Sequence, residues 1–196
     1  MHLKEINKII KYLILSDLTF WTGWGLVTPI FAIFITEQLS GTALTVGIAV
    51  AVYWITKAIL QYPFGLFLDH CKGDNDDYFF LVWGTSIASL VPLGYLFATT
   101  EWYIYILQFF YGIGMAASIT GWRAIFTRNI DKGHEAADWS LDDTIIGLGN
   151  GLSGLISGFL VYKFGFIPSF LAASALGIIG VIFLLCLRKD ILRWKK

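Results

Sequence analysis

The chain has 196 residues, of which 57% are hydrophobic and 14% are charged, and its 14 basic and 14 acidic residues give no formal net charge. A soluble domain carries about a quarter charged residues, so this composition excludes an ordinary water-soluble domain. The basic residues are better explained as membrane-topology anchors than as a nucleic-acid surface, so no nucleic acid is expected as a partner.

Six long stretches contain no charged residue at all: 18–36, 38–56, 78–100, 102–122, 144–162 and 164–187. Each is close to the ~20 residues that a helix needs to cross about 30 Å of hydrocarbon. Strands of a membrane barrel would be shorter and would alternate in polarity. The sequence therefore predicts an all-α, multi-pass membrane protein with helices over about 13–36, 44–68, 78–99, 102–127, 140–162 and 167–187.

Several other readings find no support in the sequence. Cys71 and Cys186 have neither disulfide-framework nor metal-site spacing, and His and Cys are not grouped for zinc or haem. There is no Walker loop for ATP, so no cofactor or metal is expected. The first apolar stretch is longer than a signal-peptide core and lacks a small-residue cleavage site, so it is kept as a mature helix.

The basic residues predict the orientation in the membrane. Only Lys163 falls on the far side if the N-terminus is cytoplasmic, and Lys57 lies within the membrane. This bias follows the positive-inside rule and predicts two cytoplasmic termini in a cell membrane, either plasma or bacterial inner. The predicted cytoplasmic residues are Lys4, Lys8, Lys11, Lys72, Arg123, Arg128, Lys132, Arg188, Lys189, Arg193, Lys195 and Lys196.

An internal repeat is visible between the two halves of the chain. Phe20–Leu26 in the first helix aligns with Phe109–Met115 in the fourth, each with two aromatic residues before a Gly-x-Gly. Gly65–Asp69 closes the second helix much as Gly158–Lys163 closes the fifth. Because each repeat holds three helices, the second copy must be inverted, a pattern common in secondary transporters. We expect repeat one over about 1–99 and repeat two over about 100–196.

The segment Gly65–Gly73 resembles the signature of the major facilitator superfamily between its second and third helices. Gly65 and Asp69 match the Gly-x-x-x-Asp of that motif, while His70 stands where arginine is usual. The six helices and the glycine-rich fifth helix also fit the N-terminal half of the family. The resemblance implies that Asp69 acts as a cytoplasmic latch, with Arg123 or Arg128 as its cationic partner.

The family resemblance also implies where a transport pathway would run. Lys57 lies near the membrane midplane, where an ammonium group costs about 3 kcal/mol by insertion scales, so it needs a wet cavity or a partner. Many proton-coupled members carry an arginine where this chain has Gln108. Asp17 is either a pathway residue or a carboxylate in headgroup water. The predicted substrate-pathway residues are Lys57, Asn150, Gln108, Asp17, Trp21, Trp24, Tyr53, Trp54 and Tyr111.

The fifth predicted helix carries a stripe of glycines, Gly147, Gly151, Gly154 and Gly158. Small residues at this spacing predict close helix packing. Its Gly-Leu-Ser-Gly run matches a rhomboid-protease motif, but no histidine follows to activate Ser153, so enzyme activity is not expected.

The sequence thus favours a secondary transporter of a small solute that works by alternating access. Family members use two six-helix bundles, so we expect this half-size unit to pair with a copy of itself or with a separate C-terminal half, or else to be a fragment of a longer protein. The alternative is a non-transporting membrane scaffold or assembly subunit, in which Lys57 would be sealed against lipid or in an ion pair.

Overall fold

The structure is a computed structural model that describes residues 7–71, 74–130 and 132–192. These residues form helices and short connections, with no strand among them. The helices are α1 (Lys8–Val27), α2 (Phe31–Gln38), α3 (Ala43–His70), α4 (Asp74–Tyr95), α5 (Glu101–Asn129), α6 (Glu135–Phe164), α7 (Ile167–Cys186) and α8 (Arg188–Leu192). Within this part of the chain, six segments are long and apolar enough to cross a membrane, α1 and α2 counting together as the first. The all-α class with six spanning segments is confirmed.

The first predicted helix, 13–36, is interrupted in the structure. Pro29 lies between α1 and α2, where proline cannot donate a backbone hydrogen bond and crowds the preceding turn. The backbone N–H of Ile30 donates to the carbonyl of Val27 at 3.1 Å, which tightens the chain into a short turn before α2. The kink places the side chains on either side of it along one wall of the bundle interior.

The other helix ends also differ from the expected bounds. α6 begins at Glu135, and Glu135 and Asp138 lie in its first turn, where carboxylates stabilise the positive end of the helix dipole. α5 continues to Asn129, so the loop expected over 128–139 is only a few residues long. The earlier start of α6 places Asp142 in the second helical turn rather than at the first residues of the helix.

The helices form an open ring in the order α3, α5, α4, α7, α1, α6. α1 packs against α7 and α6, α5 packs against α4 and α3, and α4 packs against α7. These contacts have an internal symmetry. If the first, second and third spanning segments swap places with the fourth, fifth and sixth, the same pairs of segments remain in contact. The most hydrophobic windows of α3 and α6 are only 17% buried, against 39% or more for the other four segments. The ring is therefore open between α3 and α6.

One end of the bundle, where α1 begins and α7 ends, is called the terminal end here. Among the described side chains it carries Lys8, Lys11, Arg123, Arg128, Lys132 and Arg188, and Lys163 lies at the opposite end. The basic residues predicted at Lys4, Lys72, Arg193, Lys195 and Lys196 lie outside the described residues, and the side chain of Lys189 is likewise outside the description. The orientation of this end toward the cytoplasm stays a prediction.

Close helix seams hold the ring together. A Cβ on Gly84 of α4 would overlap the backbone of Gly114 and Ser118 of α5. On the other side of the ring, a Cβ on Gly23 of α1 would lie 2.7 Å from the carbonyl oxygen of Ala173 in α7. Small residues let helix backbones approach in lipid, where van der Waals contact replaces the hydrophobic effect as the driving force.

We expect Gly84→Ala to destabilise the bundle by about 1–3 kcal/mol, because an extra methyl group must push apart two backbones. Gly47→Ala on α3 is the matched control, since its Cβ would meet nothing within 4 Å. Thermal unfolding in detergent measures both variants. Equal melting temperatures for the two would show that the α4–α5 seam is not tightly packed.

Candidate functional site

The open side of the ring forms a groove of about 690 Å³ lined by α1, α3, α5 and α6. These are the first, second, fourth and fifth spanning segments. Eight of the nine predicted pathway residues line this groove: Lys57, Asn150, Gln108, Trp21, Trp24, Tyr53, Trp54 and Tyr111.

An aromatic wall covers one side of the groove. The rings of Trp24 and Tyr111 stack with centroids 4.0 Å apart and an interplanar angle of 13°. Tyr53 stacks on the same Tyr111 ring at 4.7 Å, and Trp54 meets Tyr53 edge-on at 5.1 Å. These contacts join α1, α5 and α3 and present flat apolar surfaces to whatever enters the groove.

Lys57 is half-buried in the groove beside this wall. Its Nζ lies 4.6 Å from the ring centroid of Trp54 and 5.8 Å from that of Tyr53. No carboxylate of the described residues forms an ion pair with it. Cation–π contacts contribute about 0.5–2 kcal/mol, which is less than the cost of an ammonium at the midplane. The groove therefore exposes a cation that its own bundle does not neutralise.

Gln108 adds a polar group to the floor of the groove. Its side chain is 4% exposed, and Nε2 donates a hydrogen bond to the hydroxyl of Tyr95 at 3.3 Å. Its Oε1 has no hydrogen-bond partner in the described structure. A buried amide oxygen without a partner is an unmet interaction that costs free energy.

Asp17 lies apart from the groove, in contrast to the other predicted pathway residues. It lines a smaller cavity of about 280 Å³ together with Asp142, Arg123 and Trp122. Trp21 and Asn150 line both spaces, so the two adjoin. The cavity lies toward the terminal end of the bundle.

Asp142 is a functional candidate that the sequence reasoning missed. Asp142 fell inside the predicted fifth helix, but it precedes the charge-free stretch that begins at Thr144, so it was not singled out as a site residue. The signal was present in the spacing of Asp138, Asp142, Gly149, Ser153 and Ser157, which are the buried residues of α6. Residues three to four apart share one helix face, and this face is small or acidic throughout.

The predicted latch is only partly assembled. Gly65, Asp69 and Arg123 line one shallow recess of about 440 Å³, but Asp69 forms no ion pair with any described residue. Arg128 does not join them, because its guanidinium pairs with Asp77 of α4 instead. The Asp77 side chain is fully buried, and Arg128, at the end of α5, reaches it across the α4–α5 seam.

The glycines predicted to pack α6 do not do so within this bundle. A Cβ on Gly147, Gly151, Gly154 or Gly158 would meet nothing within 4 Å. α6 instead packs on α1 through a different face, where Ser157 Oγ donates to the carbonyl of Leu26. Helix rotation, which sequence spacing does not fix, turns the glycine stripe away from α1.

The comparisons with known proteins identify the family. A family model described as Major Facilitator Superfamily matches residues 13–195, so this chain belongs to the major facilitator superfamily. The solved structure titled "In meso crystal structure of the POT family transporter PepTSo" matches with a TM-score of 0.71 and 17% sequence identity. The match covers 94% of this chain and 38% of that transporter. No curated protein matches. The fold is that of one half of a major facilitator transporter.

We expect Arg128→Gln to destabilise the protein by about 2 kcal/mol, because it leaves the buried Asp77 carboxylate without its guanidinium. This is below the ~3–5 kcal/mol of a fully buried pair, since the Arg128 side chain is 43% exposed. Thermal unfolding measures the loss, with Lys132→Gln as the exposed control. Adding Asp77→Asn to Arg128→Gln should recover part of the loss, and no recovery would contradict the pairing.

Proposed function

We propose that this chain supplies one half of an alternating-access pathway for a small solute, and that a second six-helix bundle closes the groove. The main observation behind this proposal is the groove on the open side of the ring, because eight of the nine predicted pathway residues line it. Support also comes from the family and from the 38% of a solved transporter that the match covers.

The solute contacts proposed here are Lys57, Gln108 and Asn150, with the aromatic wall as an apolar surface. Lys57 provides an uncompensated positive charge near the midplane, and Gln108 provides a buried oxygen without a partner. Mostly apolar pockets with a few placed polar groups are typical of small-molecule sites. The arrangement provides binding without covalent chemistry.

The scaffold alternative requires Lys57 to be sealed in an ion pair or against lipid. Among the described residues no carboxylate pairs with it, and its ammonium points over aromatic rings that line the groove. These observations favour a water-filled space at Lys57, which a scaffold does not need.

The glycine stripe of α6 provides a surface for the second bundle. Gly154 lines the groove, and the other three glycines continue along the same unpartnered side of the helix. A backbone without side chains allows a second helix to approach closely. The second bundle is another copy of this chain, a separate C-terminal half, or a further part of a longer protein to which this sequence belongs. We further propose that the protein lies in a cell membrane with both termini in the cytoplasm, and that Asp69 latches that side through a helix of the second bundle.

Lys57→Cys, made with Cys71→Ser and Cys186→Ser, should react with a membrane-impermeant sulfonate thiol reagent added to either side of sealed vesicles. Thiols react as thiolates, which need water, and an alternating pathway opens Lys57 to each side in turn. The fraction labelled is read by mass spectrometry.

Ile59→Cys in the same background is the matched control. Ile59 lies on α3, is 64% exposed on the outside of the bundle and does not line the groove, so hydrocarbon should protect it. Labelling of Lys57→Cys from neither side would favour the scaffold, and labelling from one side only would exclude alternating access.

Gly151→Leu should weaken pairing at least several-fold without lowering the melting temperature, because its side chain meets nothing within this bundle but would separate α6 from a second one. Ala175→Leu, at an exposed position on α7, is the control. Cross-linking in native membranes and mass measurement in mild detergent report pairing. A cross-link to a different polypeptide would identify a separate half, and a lone protomer in both experiments would contradict pairing.

A further inference from the structure

The smaller cavity contains two carboxylates that the groove does not use. Asp17 comes from the middle of α1 and Asp142 from the second turn of α6, and both line the same space of about 280 Å³. Trp21, Trp122 and Trp139 supply much of its apolar wall. All the residues that line this cavity belong to the one bundle, so the cavity forms without a second bundle.

Asp142 lacks the partners that a buried carboxylate needs. Its side chain is 3% exposed, and Oδ1 has no hydrogen-bond partner in the described structure. The indole Nε1–H of Trp122, a residue of the same cavity that is 7% exposed, also has none. An ionised carboxylate in such surroundings loses hydration without replacing it, whereas a protonated carboxyl gains a donor and loses its charge.

The charges that face Asp142 do not balance. Across the cavity α1 contributes Asp17, α5 contributes Arg123, and α4 contributes the neutral Thr85. On α6 itself Asp138 lies one turn earlier, and Asp143 is the exposed neighbour. Among the residues that line the cavity, one guanidinium faces the two carboxylates of Asp17 and Asp142, which leaves an excess of negative charge that a bound proton would reduce.

We propose that Asp17 and Asp142 share one bound proton, which makes this cavity a protonation site. The proton resides on a carboxylate oxygen and leaves to water as hydronium when the pH rises. A metal cation fits less well, because no group of three or more His, Cys, Asp or Glu ligands exists in the described residues. Arg123 also lines the cavity and would repel a cation.

The position of the site connects it to the groove. Trp21 and Asn150 line both spaces, so the charge state of the carboxylates acts on side chains that also face the groove. Coupling of this proton to solute movement rests on the proposed function, whereas proton binding does not.

The test is an infrared measurement on the purified chain in lipid nanodiscs at about pH 7, where ordinary surface carboxyl groups are ionised. We expect wild type to show a protonated-carboxyl C=O band equivalent to about one group per chain, which disappears as the pH is raised. Asp142→Asn should remove most of this band. Asp143→Asn, one residue along and exposed, should retain the band and shift it only slightly to lower pH, because it removes one nearby negative charge but not the proton-binding group.

Asp17→Asn is the second variant, in case Asp142→Asn does not fold. With Asp17 neutral, Asp142 loses its like-charged neighbour, so the band should shift to lower pH or disappear. A band absent from wild type, or equally intense in Asp142→Asn and wild type, would overturn the proposal. A band displaced by sodium but not by choline at fixed pH would assign the site to a metal cation instead. A band found together with one-sided labelling of Lys57→Cys would keep this site and reject alternating access.

Discussion

The structure depends on close helix seams formed by glycine and small polar residues. In lipid there is no hydrophobic force between helices, so contact area and hydrogen bonds decide which helices associate. Gly25 of α1 lies against Ser153 and Asn150 of α6, and Gly84 of α4 lies against the backbone of α5. α1, α7, α4 and α5 each pack against helices on two sides, whereas α3 packs mainly on α5 and α6 mainly on α1, so these two are held on one side only. The groove is the direct result.

Three buried or half-buried charged groups of the bundle have different surroundings. Asp77 is neutralised by Arg128 across the α4–α5 seam. Lys57 is stabilised only by the faces of two aromatic rings and stays directed at the groove. Asp142 is enclosed beside Asp17 with one oxygen unsatisfied. The paired charge of Asp77 stabilises the fold, whereas Lys57 and Asp142 are left without a charged partner among the described residues. Ionisable groups without such a partner inside membrane proteins are commonly functional.

Several residues show how far sequence reasoning reached and where it failed. The predicted pathway residues other than Asp17 line one groove, because charged and polar groups in a membrane-spanning bundle face its interior rather than lipid; their role in transport stays a prediction. Gly147, Gly151, Gly154 and Gly158 were expected to pack but face open space, since spacing defines a helix face and not its direction. Arg128 was predicted as a possible partner of Asp69 but pairs with Asp77, because the ion-pair partner depends on which helices are adjacent.

The sequence by itself determined the class of the protein, the number of spanning segments and the family resemblance. The physical reason is that the thickness of the bilayer sets the length of every apolar spanning stretch. The backbone groups of such a stretch must also form all their hydrogen bonds within the protein, since lipid offers none. Only the tertiary structure decided the rotation of α6, the separation of the carboxylate cavity from the groove, and the pairing of Asp77. Those features depend on how helices distant in sequence meet, and one-dimensional periodicity carries no information about that.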